Sequence, residues 1–341
     1  MSSRSRCRSG PTTDGSCVAR CFSTTEDPAH ERGRGAARLW NVATPELIRS
    51  SPLLRVGCAM WAHPPWVGRY LSAGNKGREL ADYATWCNAV EGNTTFYGIP
   101  SERTVARWTE QAPPDFRFAF KVPRTVTHEQ RLRPGAHRDV AGFLQAIEPL
   151  GDRIGPVQLQ LPPSFGPESV AVLSDFVVGL PTSHRWVVEL RHPAFFDGGE
   201  THARLDERLR AAEIGRVVLD TRPLYDTPAE SDAAVDEQRS KPRLPIRTDL
   251  MGDEPIVRVI GSDDVDRTLA GMTSWVPDTV RWLGEGRRPY VFAHQPENLV
   301  SPEIARRFHG VVAREIEDLD QLPEPIPVAP GRETPNQTPL F

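Results

Sequence analysis

The stretch FRFAFKV, residues 116–122, decides how the rest of the chain is read. Side chains of a β-strand alternate between its two faces. Phe116, Phe118 and Phe120 therefore share one side, while Arg117, Ala119 and Lys121 share the other. The aromatic side has to pack beneath an apolar layer. The opposite side carries a lysine toward the C-terminal end of the strand, where it needs a partner or a ligand. A helical pattern, HRDVAGFLQAIEPL, follows shortly after. Strand and helix together form the repeating unit of an α/β fold.

The unit recurs on both sides. Further strand-like runs stand at LRVGC (54–58), NAVEGN (88–93), PVQLQL (156–161) and RWVVEL (185–190). Three more follow at RVVLD (216–220), PIVRVI (255–260) and PYVFAH (289–294). Helical patterns such as GRELADYATWC, SERTVARWTEQ and ARLDERLRAAE lie between them. Eight strand–helix units predict a single closed (β/α)8 barrel of the TIM type over residues 53–315, with the last strand paired to the first. Residues 1–50 are rich in Ser, Thr, Arg and Gly and predict a mostly disordered extension, with a short helix near PELIRS. Residues 318–341 are proline-rich and predict a flexible tail. The longest interruption, Thr221–Glu254, has no hydrophobic period and is expected as a loop over the C-terminal mouth of the barrel.

Bulk properties narrow the function classes. A hydrophobic content of 38% and a formal net charge of −4 suit a water-soluble globular protein with no global attraction to nucleic acid or an anionic membrane. No apolar run approaches the ~20 residues that span a bilayer, and no segment has the form of a secretory signal. A cytoplasmic location is the expectation. Cys58 and Cys87 fall in apolar patterns and are expected as buried thiols, whereas Cys7, Cys17 and Cys21 lie in the polar N-terminal stretch. Only three lysines occur, Lys76, Lys121 and Lys241, in a chain whose other cations are arginines.

Alternation applied to each strand assembles an inward face. It places Glu91 and Asn93 on the second strand, Lys121 on the third, and Gln158 and Gln160 on the fourth. Glu189 and Arg191 follow on the fifth, Asp220 on the sixth, Arg258 on the seventh and His294 on the eighth. A purely structural barrel interior is dominated by Val, Ile and Leu. So many inward ionisable groups describe an active-site floor, or else an internal salt-bridge network.

The motifs VEGNTTFYGIPSERTVARW, FAFKVPRTVTHEQRL, LQLPPSF, VVELRHPAFF and IVRVIG together resemble the YecE-like family, a domain of unknown function. The resemblance spans roughly residues 53–315. It implies a barrel related to the TIM fold and supplies no reaction. The family's recurring polar positions fall on Trp61, Glu91, Asn93, Thr95, Tyr97, Lys121, Pro123, His128, Glu189, Arg191, His192 and Arg258. Departures stand at Gly92, at Gly98 and at Ala293-His294-Gln295, where the family often carries paired asparagines.

The chemistry expected of this set centres on Lys121, as a base or Schiff-base nucleophile of lowered pKa. Glu91 and Glu189 are candidate acid and base. Arg191 and Arg258 suit a carboxylate or phosphate on a small anionic substrate. Trp61, Asn93, Thr95, Tyr97, His128, Gln160, Asp220 and His294 complete the candidate binding set. The leading expectation is a metal-independent enzyme without a cofactor. A metal-dependent phosphodiesterase acting on nucleic acid, with Glu189, Asp220 and His294 holding a divalent cation, is the first alternative. A non-catalytic ligand-binding barrel is the second.

Overall fold

The computed structural model describes residues 53–249 and 251–328. The expectations for residues 1–50, including the PELIRS helix and the three N-terminal cysteines, lie outside the described residues, as does the tail beyond 328. Eight strands form where the apolar runs predict them: β1 (Arg55–Cys58), β2 (Ala89–Gly92), β3 (Arg117–Phe120) and β4 (Val157–Gln160), then β5 (Trp186–Glu189), β6 (Gly215–Asp220), β7 (Ile256–Ile260) and β8 (Tyr290–His294). Almost every strand residue is buried, as expected where helices cover a parallel sheet. The helix Glu102–Gln111 shows the local logic. Ser101 caps its first turn by accepting from Thr104 N, and Val105 and Trp108 form its buried stripe. Trp108 then stacks on Phe118 and Phe120, the aromatic face of β3. No described helix is long and apolar enough to cross a membrane.

The closed eight-stranded barrel expected from the sequence does not form. Ladders join six strands in the order β1-β8-β7-β6-β5-β4, all parallel, and β2 pairs with β3 in a separate sheet. The last strand does pair with the first. The ring is interrupted at two seams, each for a physical reason.

Between β1 and β2, side chains stand in for the ladder. Asn88 accepts from Val56 N and donates to Leu54 O, both at 2.8 Å. The Tyr83 hydroxyl accepts from Cys58 N at 2.8 Å and donates to Ala89 O at 2.9 Å. These bonds satisfy the edge of β1 without a strand partner. Close approach at this seam requires Gly57, where any Cβ would collide with the Ala89 carbonyl.

Between β3 and β4, only two isolated bridges form, Phe118 to Ile154 and Lys121 to Gln158. Three steps on one side face four on the other, as in a bulge, and Pro156 within the longer side has no N–H to give.

Inside, Ala89, Ala119, Val187, Val217, Ile256, Tyr290 and Phe292 form one apolar cluster shared by both sheets. Two residues beyond five of them stand Glu91, Lys121, Glu189, Arg258 and His294. Period two therefore sets these five on the inner side, one layer nearer the strands' C-terminal ends. On β6 the inner residue is Val217 and, by alternation, Leu219, while Val218 joins the outer core, so the inward placement of Asp220 expected from the sequence is reversed.

The segment Thr221–Glu254 is not structureless. It contains the helices Arg222–Tyr225 and Asp232–Ser240, tied together where Tyr225 donates to the Lys241 carbonyl at 2.6 Å. Its start lies at the C-terminal rim, and the charge of Lys241 reaches His294. Its end returns to the opposite rim, where Met251 is buried against Gly215 at the start of β6. In the described part of the tail, Leu319 is buried and Arg306 donates to the Leu322 and Pro323 carbonyls.

Candidate active site

The strand ends bring together a buried charge network. Glu91, at the end of β2, is gripped by Arg258 from β7: Nε pairs with Oε1, and Nη2 donates to Oε2 at 3.0 Å. The third nitrogen of the same guanidinium, Nη1, donates to Glu189 Oε2 at 2.7 Å. One arginine thus bridges two fully buried carboxylates. Arg191 closes the far side of Glu189, with Nε and Nη2 each 2.6 Å from Oε1. Asn93 donates to Glu91 Oε2 and to the Ala59 carbonyl, both at 2.9 Å. Such geometry is what buried charges need if they are to offset their desolvation.

Lys121 is held differently. Its Nζ lies 3.7 Å from Glu91 Oε2, beyond hydrogen-bond reach, and it makes no hydrogen bond among the described residues. Its backbone is fixed by the buried Thr95 hydroxyl, 2.6 Å from the Lys121 carbonyl and 2.8 Å from that of Gly92. His294 approaches the same carboxylate, with Nε2 at 3.5 Å from Glu91 Oε2.

Electrostatics divide these groups into fixed and labile. Burial alone would raise the Glu91 carboxyl, but Arg258, and after it Lys121, hold it at about 2. Burial opposes the Glu189 charge as well, and Arg191 and Arg258 outweigh it, so it stays well below the usual carboxylate range. Arg258 is driven upward in turn, because the two carboxylates overcome its burial. Lys121 goes the other way. Burial first, and then the Arg258 charge, push its ammonium down to about 7 against the pull of Glu91 and Glu189. Burial and Arg258 also keep His294 neutral, far below the ordinary histidine value. Glu91 and Glu189 are thus fixed anions at neutral pH, and Lys121 is the group of this network that changes protonation there.

The remaining predicted residues fall outside the network or at its edge. Asp220 is buried on the other side of β6, where it accepts from Arg222 Nε at 2.9 Å, Arg222 Nη2 at 2.7 Å and Trp275 Nε1 at 2.9 Å. Trp61 meets Trp108 edge-on at 5.3 Å and joins the aromatic layer over β3. Tyr97 is 79% exposed. His128 is half-buried in a π-helical turn, Thr125–Glu129, with Nδ1 2.9 Å from the Thr127 hydroxyl. Burial, Arg191 and Arg124 bring it down to about 4. Gln160 is buried at the end of β4. His192 accepts from Ala194 N and caps a short turn.

Glu189, Asp220 and His294 do not converge, so the metal-ligand set expected from the sequence is not assembled. Among the described residues, the only group of three or more ligand-type side chains within reach of one another is His202, Asp206 and Asp249. Arg216 Nη1 donates to Asp206 at 2.7 Å, and Arg247 Nη2 lies 3.1 Å from His202 Nδ1, so two guanidiniums already occupy that cluster. Sequence reasoning missed this cluster, although His202 and Asp206 stand four apart on a helix and so share a face.

Comparisons with known proteins agree with this architecture. A family model described as "Protein of unknown function DUF72" matches residues 55–329. The UPF0759 protein YecE of Escherichia coli K12 is 36% identical over 273 residues, which cover 80% of this chain and 97% of that protein. Two solved DUF72 family proteins share the fold. The one from Thermotoga maritima has a TM-score of 0.57 at 24% identity, over 78% of this chain and 99% of its own. The one from Enterococcus faecalis has 0.58 at 17% identity, over 77% and 98%.

Proposed function

The chain belongs to the DUF72 family, whose description assigns no reaction, and from the geometry of its site we propose an enzyme that acts through Lys121 on a small anionic molecule, without a metal. The observation that carries this is the contrast within the buried network. Both carboxylates are paired with arginine, whereas the Lys121 amine is near its charge partner, unbonded and poised close to neutrality. In this reading Glu91 and Glu189 set the field, Lys121 exchanges the proton or makes the bond, and Arg191 receives the substrate's carboxylate or phosphate. Arg191 suits that role because its side chain remains 13% exposed and only Nε and Nη2 are engaged by Glu189.

The test is a thermal-shift screen of the purified protein against carboxylate- and phosphate-bearing metabolites. Anionic hits should raise the melting temperature and lose their effect in Arg191→Ala. Lys121→Met should keep the fold and abolish turnover of whichever hit is converted. Turnover that survives in Lys121→Met would refute the assignment.

A further inference from the structure

The surroundings of Lys121 point to one kind of chemistry more than to simple proton abstraction. Gln158 stands across the bridge from Lys121, is fully buried, and has neither amide atom hydrogen-bonded among the described residues. Asn93 Oδ1 and His294 Nε2 are likewise buried without a hydrogen bond. Unpartnered polar atoms are costly in an interior, and here Asn93 and His294 reach the same Glu91 carboxylate that Lys121 approaches, while Gln158 is bridged to Lys121 from the neighbouring strand. The set holds a free donor, Gln158 Nε2, and free acceptors, Gln158 Oε1 and Asn93 Oδ1. A base needs only its own lone pair. A carbinolamine, with its new hydroxyl beside the one N–H the amine keeps, needs both kinds of neighbour.

We propose that the Lys121 amine is a covalent nucleophile that forms an imine with a small aldehyde or ketone bearing a carboxylate or phosphate. This rests on the reading of Lys121 given above and names its substrate class. The amine lone pair forms the C–N bond while the carbonyl π pair moves to oxygen. One amine proton then passes to that oxygen, giving the carbinolamine. Loss of the hydroxyl as water, with one proton taken from solvent, leaves the protonated imine. Gln158 faces the new hydroxyl and Asn93 the N–H. The anionic end lies toward Arg191 and the His128 turn, where the charges of Arg124 and Arg131 also reach.

The scarcity of lysine makes the test unambiguous on the full-length wild-type protein. It is incubated with glyoxylate in one arm and glyceraldehyde 3-phosphate in another, reduced with cyanoborohydride, digested, and read by mass spectrometry at Lys76, Lys121 and Lys241. An ordinary lysine is only ~0.1% free amine near pH 7.5, so modification at Lys121 should exceed that at Lys76 on the order of a hundredfold. The preferred arm identifies the anion. Equal modification of the three lysines, or none at Lys121, overturns the proposal. A parallel acetylation with limiting acetic anhydride separates the two levels. If Lys121 is acetylated with a midpoint near neutrality but never forms the reduced adduct, the imine is refuted and the lysine base stands. If it is inert to both reagents, both fail.

Discussion

Lys121→Met offers a test that needs no substrate, because the lowered ammonium of Lys121 must appear in the stability of the protein itself. In the folded chain the proton leaves at about 7. In the unfolded chain it leaves at ~10.4. Between those values the unfolded state binds a proton that the folded state does not, so stability rises with pH; below about 7 the lysine is charged in both states and its burial costs most. One proton difference changes stability by ~1.4 kcal/mol per pH unit, so the wild type should gain about 2 kcal/mol between roughly pH 7.5 and 9. Methionine has similar length and no charge, so the variant lacks this component, while the background titration of other groups is common to both proteins. The assay is equilibrium urea unfolding of the two proteins at several pH values, read as their difference. A flat difference across that window would show that Lys121 stays protonated in the folded state. The lysine-centred function would fall with it.

Three further substitutions probe other parts of the same structure. Glu91→Gln leaves Lys121 without its nearest carboxylate and Arg258 with Glu189 alone, so urea unfolding should show a loss of ~3–5 kcal/mol. Asp220→Asn should cost ~1–3 kcal/mol through its bonds to Arg222 and Trp275. It should leave the acetylation midpoint of Lys121 unmoved, since Asp220 faces away from the network; a shifted midpoint would place it back in the site. Asn88→Ala orphans the Val56 N–H and the Leu54 carbonyl at the β1–β2 seam and should lower stability by ~1–3 kcal/mol, with faster amide exchange at Val56 as the local readout.

Sequence by itself determined the elements and most of their orientation. Alternation is a local property, fixed by the pleat, and it is legible wherever the two faces differ in chemistry. In FRFAFKV and WVVELR the contrast is plain, and Lys121, Glu189 and Arg191 stand on the side it assigns. In RVVLD the residues Val217, Val218 and Leu219 are apolar on both faces, so nothing local reveals which way Asp220 points. That was decided by Trp275 and Arg222, one of them 55 residues away, which supply the donors its carboxylate needs once buried. The continuity of the sheet was decided in the same way. Eight strand-forming runs are visible along the chain, yet a ladder also needs every edge N–H and C=O to meet a strand. At the β1–β2 seam Asn88 and Tyr83 take those groups first, and beside β3 a proline and an extra residue break the register. Period and propensity are written residue by residue, whereas the partner of a buried charge or of an edge amide is settled only when distant segments compete for it in space.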